Sequence, residues 1–318
     1  MPDTSNLTIK SDQLTACKTA DNPVLSVLAY FDIFQYPLTK KEIQSFSNRP
    51  VDDNELDDTL NSLLAEKSVF VCQGYYSMND NPLLSLRRKE GNLRAEKLIP
   101  KAHRIGRFLY KFPFVRAIGV SGSLSKNFAD ENADIDFFII TKEGRLWIAR
   151  TIMHLFKKLT FLTGHQHYFC MNYYIDEKQM VIESQNIFTA METVTLLPVA
   201  GAKAMDRFYM DNKWAYQFFP SFGMNRFLRD NFKEKQAWYK QIIEFMFTNR
   251  LADRLDNWLF KLTSHRWKQK NNKGLRNKNG HTMQLETGKH YCRSNPGAMQ
   301  ERVLALYGQK LRILGLSH

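Results

Sequence analysis

The strongest constraint on the fold lies between positions 114 and 175. Apolar residues arrive there in bounded runs at 114–121, 135–141 and 168–175, each the length of one buried strand. A short helical turn is expected at 123–128, between the first two runs. Between the last two, segment 144–162 places Leu146, Ile148, Ile152, Leu155, Phe156 and Leu159 on one helical stripe. A fourth short strand is expected at 179–183. Strand, turn, strand, helix, strand in that order specifies an α/β core with a mixed sheet, spanning 114–185.

The flanking segments differ in kind. Residues 1–20 are polar and read as a tail. Residues 21–82 carry three helix signals and a hairpin signal. Val24, Leu25, Val27, Leu28, Phe31 and Phe34 form one stripe, and Thr39 with Glu42 has the spacing of a capping box. Leu56, Leu60, Leu63 and Leu64 line a third helix, and Gln73-Gly74 separates two strand-like runs. Three helices and a hairpin make a winged-helix-like module. Its third helix carries Asp52, Asp53, Glu55, Asp57, Asp58 and Glu66, and such a row of carboxylates repels a phosphate backbone. Packing or protein contact is therefore expected of it ahead of DNA reading.

Residues 83–113 read as basic connecting helices, kinked or divided at Pro100. Residues 186–318 form a helical C-terminal region with periodic stretches at 187–197, 203–218, 233–262 and 296–314. Trp238, Ile242, Phe245, Met246, Leu255, Trp258 and Leu259 make one apolar face, and Trp214, Trp238 and Trp258 are expected to fill a helical core. Residues 264–289, rich in Asn, Gly and Lys, read as an exposed basic loop.

Charge bears on partners. The formal net charge is +13, a surplus that attracts polyanions such as nucleic acid, nucleotides or an acidic membrane surface. The four cysteines, Cys17, Cys72, Cys170 and Cys292, are far apart and suit neither a zinc site nor a disulfide framework. With no apolar signal-peptide core near Met1 and no run approaching the ~20 apolar residues of a spanning helix, a cytoplasmic protein without a membrane partner is expected.

The chemistry concentrates in Val120-Ser-Gly-Ser-Leu-Ser-Lys-Asn-Phe-Ala-Asp-Glu-Asn-Ala-Asp-Ile-Asp-Phe-Phe-Ile-Ile140. Gly122 lets the backbone turn sharply and a phosphate approach. A helical turn starting there points unpaired N–H groups outward, and the Ser123 hydroxyl adds a donor. Asp134 and Asp136, two apart at the head of a strand, are expected on one face. Two carboxylates there offer hard oxygens to Mg²⁺ or Mn²⁺.

This pattern, a hydrophobic residue, Gly-Ser, a spacer, then Asp, hydrophobic, Asp, hydrophobic, resembles the DNA-polymerase-beta-like nucleotidyltransferases, in particular minimal bacterial members. The resemblance covers about 114–184. It implies that Gly122 and Ser123, with Lys126 in the same loop, bind a nucleoside triphosphate, and that Asp134 and Asp136 bind two metal ions and serve catalysis. It implies transfer of a nucleoside monophosphate to an acceptor that is a small molecule, a protein or RNA. The sequence departs from the family in three places. Asn127 stands where many relatives have Gly, and Ala133 where many have Ser. Where active members place a third carboxylate, the strand carries Asn172, a possible third metal ligand through its amide oxygen that carries no charge and cannot act as a base. Asp176 and Glu183 are the alternatives for that role, and the choice stays open.

His165 with His167, and His154 alone, read as surface and packing residues rather than metal ligands. Two further readings stand beside the enzyme. One is a nucleotide-binding regulator without turnover, and the other is a basic nucleic-acid-binding protein on an inert scaffold.

Overall fold

A computed structural model describes residues 22–131, 133–160, 168–223, 237–274, 276, 282, 284–294 and 298–316 of the chain. The tail at 1–20, the pair His165 and His167, and most of the segment 275–283 fall outside the described residues. The fold is mixed α/β with a mixed sheet, and eleven α-helices occur among the described residues. None of those helices is long and apolar enough to cross a membrane.

The front segment forms α1 (Pro23–Asp32), α2 (Lys40–Phe46), α3 (Asp53–Ala65) and a hairpin of β1 (Phe70–Cys72) and β2 (Tyr75–Ser77). The capping box is present: Thr39 accepts from the Glu42 N–H while Glu42 accepts from the Thr39 N–H at 2.9 Å. Asp52 caps α3 by accepting from the Glu55 N–H. Gln73 and Gly74 both take positive φ, 52° and 81°, as a tight two-residue hairpin requires. The carboxylates of α3 are largely spent locally, with Glu55 held by Arg49 and Asp57 by Lys40.

This segment does not keep a core to itself. Val24, Leu28, Phe31, Leu56 and Leu60 share one apolar cluster with Ala190, Met191, Val194, Phe219, Val303, Tyr307 and Leu311. The front segment thus shares its core with residues beyond 186, while residues from 95 to 174 gather in a different apolar cluster.

One helix, α4 (Leu83–Tyr110), follows unbroken through Pro100. Of the two expectations, a kink or a division, the division does not occur. Pro100 and Glu96, whose carbonyl loses its donor, both lie on the exposed side, where water replaces the missing bond. Ala95, Ala102 and Leu109 on the opposite face are fully buried among the sheet residues.

The sheet runs β6 (Leu197–Ala200), β3 (Val115–Val120), β4 (Asp136–Thr141), β5 (Cys170–Asp176), β8 (Tyr291–Ser294) and β7 (Leu285–Thr287), in that spatial order. Only β4 and β5 are parallel; the other neighbours are antiparallel. The short α5 (Gly122–Ser125) follows β3, and α6 (Leu146–Thr160) crosses from β4 to β5. Strands β3 and β4 fall within their expected runs, and β5 starts two residues into its run and ends one residue beyond it. The outer ones depart from expectation. Segment 179–183 forms no strand: Asn212 supplies both bonds a ladder would give, accepting from Ile182 N–H and donating to the Met180 carbonyl. The expected helix at 187–197 stops at α7 (Ile187–Val194), and the chain then enters β6. Inside the supposed basic loop, helix α10 (Arg250–Asn272) continues to Asn272 and β7 forms the sheet edge.

Helix α8 (Ala202–Asp211), a 3₁₀ turn at Lys213–Gln217, helix α9 (Trp238–Met246) and helix α11 (Met299–Ile313) complete the chain. Trp214 packs into the core as expected. Trp238 and Trp258 do not, being 74% and 57% exposed.

Two stability predictions follow from buried details. Gly201 has φ +82°, and a Cβ there would lie 2.0 Å from the Arg116 carbonyl oxygen in the neighbouring strand. Gly201→Ala is expected to lower unfolding free energy by roughly 2 kcal/mol or more in chemical denaturation. Asp256, buried on α10, accepts the Ile148 N–H, and burial pushes its carboxyl up to about 6. Its protonated form is thus favoured by folding, so its stabilising effect is full below about pH 4 and lost as pH rises through about 6. Denaturation midpoints of wild type, measured against Asp256→Asn, are expected to fall across that window.

Candidate functional site

The candidate site grows from the antiparallel pair β3 and β4. Beyond the last pair of the ladder, Val120 opposite Phe137, the Ser121 N–H donates to the Asp136 carbonyl at 2.9 Å. The end of β3 and the beginning of β4 are thereby locked side by side. Gly122 follows with φ +72°, and a Cβ there would sit 2.8 Å from Asp136 Oδ2. The glycine turn and the acid, fourteen positions apart in sequence, are therefore in contact. Ser125 donates to the Gly122 carbonyl, and Asn127 takes φ 57°, the left-handed conformation that closes the turn.

These residues open onto a cavity of about 480 Å³. Its polar wall includes Ser121, Gly122, Ser123, Lys126, Asp136, Asn172 and Glu192. The front segment contributes Tyr30, Phe31, Phe34 and Tyr36, the sheet Phe138 and Tyr173, and the C-terminal helix Met299 and Gln300. Three segments that look separate in sequence thus enclose one space.

The predicted site residues do not all arrive together. Gly122, Ser123, Lys126, Asp136 and Asn172 line the cavity. Asp134 precedes β4, is exposed and is not part of the lining, so the expected strand alternation does not place it beside Asp136. Its charge nevertheless reaches Asp136. Asp176 does not join them. It lies at the opposite end of the sheet, where it pairs with Thr141 while Asp136 pairs with Cys170. There it is fully buried, 2.9 Å from His290 Nδ1, and accepts the Gly144 and Lys178 N–H groups. Five residues of strand, on the order of 16 Å, separate it from the cavity. Glu183 is exposed, bonded to Gln179, and also outside the cavity lining.

Asn172 does stand in the site. Its amide nitrogen donates to Asp136 Oδ1 at 2.5 Å, and its oxygen accepts from the Cys170 thiol. In this orientation it positions Asp136 and turns no oxygen toward a cation. Burial holds the Cys170 thiol up at about 12, so it stays protonated and unreactive.

The residue that sequence reasoning missed is Glu192 on α7. Its carboxylate accepts the Gly122 N–H at 3.2 Å and the Lys126 ammonium at 2.7 Å. Glu192 therefore occupies the donors that a phosphate oxygen would use. A signal was present: it is the single charged residue in the helix Ile-Phe-Thr-Ala-Met-Glu-Thr-Val. Asp136 feels all of this. Burial first, then the nearby Asp134 charge, with a smaller push from Glu192, raises its carboxyl to about 7.

Asp136, Asp134 and Glu192 provide hard oxygen donors of the kind that Mg²⁺ or Mn²⁺ takes. The charges of Asp134 and Glu192 help to raise the Asp136 carboxyl, a penalty that a cation beside it would relieve. Among the described residues no three His, Cys, Asp or Glu side chains are already gathered in a metal-holding group. Comparison with protein-family models, curated proteins and solved structures finds no match to this chain.

Gly122→Ala places a methyl against Asp136 Oδ2 in a conformation that disfavours alanine. It is expected to lower unfolding free energy by about 1–2 kcal/mol in urea titration, with far-ultraviolet circular dichroism unchanged at low denaturant.

Proposed function

We propose that the chain is a Mg²⁺- or Mn²⁺-dependent nucleotidyltransferase acting on a nucleoside triphosphate and a hydroxyl acceptor. The observation that carries this reading is the contact between the Gly122 turn and Asp136 at the mouth of one cavity. A phosphate-binding turn and a hard-oxygen acid are the two parts that phosphoryl chemistry needs within a few ångströms of each other.

The chain's own residues divide the work. The Gly122 N–H, the Ser123 hydroxyl and the Lys126 ammonium receive the triphosphate, which displaces the Glu192 carboxylate from the first and last of these. Asn172 holds Asp136 in place through its amide. Asp136, with the charge of Asp134 acting on it from outside the lining, would hold the divalent ion, which when bound neutralises phosphate charge as pyrophosphate departs. The acceptor oxygen forms its bond to the α-phosphorus as the bond to pyrophosphate breaks. Its proton passes to a carboxylate, and Glu192, which lines the cavity and is released from Lys126 as the triphosphate binds, takes it. The front helices act here as a wall of the acceptor space. That role agrees with their acid-rich third helix, which is ill suited to DNA.

Asn172 in place of a carboxylate favours one second reading, a regulator that binds nucleotide without turning it over. Label transfer separates the two. With α-phosphate-labelled triphosphate and a panel of hydroxyl acceptors, wild type is expected to label an acceptor and release pyrophosphate. Asp136→Ala is expected to reduce labelling by about 10³-fold or more with the fold retained. Calorimetric binding of triphosphate by wild type, with no pyrophosphate released across the panel, would favour the regulator. Unchanged labelling by the variant would reject the site assignment.

A further inference from the structure

We propose that helices α9 and α10 form a docking face for a membrane surface rich in anionic lipid. The starting observation is an apolar surface that the core leaves uncovered. On α9, Trp238, Ile242, Phe245 and Met246 are 74%, 52%, 79% and 64% exposed, and on α10 Leu251, Leu255 and Trp258 are 67%, 36% and 57% exposed. The spacing within each helix is three or four residues, so each set forms a stripe. The opposite sides of the same helices are anchored. Lys240 donates to the Tyr110 and Val115 carbonyls, Glu244 binds Arg116 and the Phe114 N–H, and Ala252 and Asp256 are buried against α6. The stripes are therefore a fixed outer surface of a docked element.

Charge selects the partner. Residues 238–273 contain eight basic and three acidic side chains, a local net charge of +5. All three acids are already partnered, Glu244 with Arg116, Asp253 with Arg145 and Asp256 with the Ile148 N–H. Arg250, Arg254, Lys261, Arg266, Lys268 and Lys270 are all exposed. A second copy of this chain would bring one basic face against another, which like-charge repulsion opposes. A nucleic acid would satisfy the charge and the aromatic rings but would leave Ile242, Met246, Leu251 and Leu255 without apolar contact. An anionic bilayer satisfies both sets. Aliphatic and Phe side chains enter the acyl boundary, Trp rings sit at the headgroup level, and Arg and Lys meet the lipid charge. A helix lying on a membrane needs no spanning length, so the absence of a spanning helix among the described residues does not bear on it.

The test is co-sedimentation of the full chain with phosphatidylcholine vesicles, with and without phosphatidylserine, at low and high salt. Wild type is expected to pellet only with phosphatidylserine present, and less as salt rises. A Trp238→Ser, Phe245→Ser double variant is expected to partition about tenfold less or weaker still. Both side chains are exposed, so its circular dichroism should match wild type. Several results would overturn the proposal: no pelleting of wild type, equal pelleting with phosphatidylcholine alone, or undiminished pelleting of the variant. Oligonucleotide binding without vesicle binding would do the same, as would a dimer that the double variant dissolves in place of vesicle binding.

Discussion

The antiparallel pairing of β3 with β4 is the constraint on which the candidate site depends. Both strands are buried and lie inside a six-stranded sheet, so each backbone N–H and C=O must find a partner in the ladder. The register that satisfies them brings Val120 opposite Phe137 and Ser121 onto the Asp136 carbonyl. Once that register is set, the turn at Gly122 and the side chain of Asp136 have to touch. A slip of one residue would turn Asp136 to the other face of the sheet and bury its charge without a partner.

A second set of contacts ties the front helices to this point. Arg88 is 3% exposed and donates to the Pro37 carbonyl, to Glu42 and to Asn92, while its guanidinium lies 3.9 Å from the centre of the Tyr36 ring. Tyr36 in turn donates to the Lys126 carbonyl at 2.8 Å, and Lys126 holds Glu192. A run of direct bonds thus leads from the α2 capping box to the glycine turn. Buried arginines of this kind cost desolvation and fix geometry in return, because each broken partner leaves a charge or a carbonyl unsatisfied. The front segment is built into the cavity wall by polar anchors as well as by its shared apolar cluster.

The acids around the cavity are arranged with one member held in reserve. Asp136 is kept in place by Asn172 and made hard to ionise by burial and by its acidic neighbours. Glu192 meanwhile is paired with Lys126 and the glycine turn, so its charge is compensated while no anion is bound. An incoming phosphate would exchange one anion for another at Lys126 and free Glu192 beside Asp136. In the proposed reaction that freed carboxylate is the group to which the acceptor's proton passes, so the arrival of phosphate and the readiness to accept a proton are linked.

The sequence alone determined what depends on neighbours in the chain. The central strands, the glycine turn with Asn127 in the left-handed region, the capping box at Thr39, the hairpin at Gln73-Gly74 and the helix α6 all follow from local periodicity and backbone preference, and all are present, although α6 buries Trp147, Ala149 and Met153 while Leu155 and Leu159 of its expected stripe are exposed. Tertiary structure decided whatever required knowing which surfaces meet. A four-residue edge strand such as β6, or a three-residue one such as β7, carries too little pattern to distinguish from loop until a partner strand exists. Asn212 replaced a strand at 179–183 because a buried side chain can supply ladder bonds from thirty residues away. The apolar residues of α9 and α10 have the spacing of a core stripe, and spacing says that they share a face without saying what covers it. Asp176 and Glu192 make the same point for the site. Asp176 is the single acid of β5 and Glu192 that of α7, and only the sheet register sends one far from the cavity, while only the packing of α7 brings the other in.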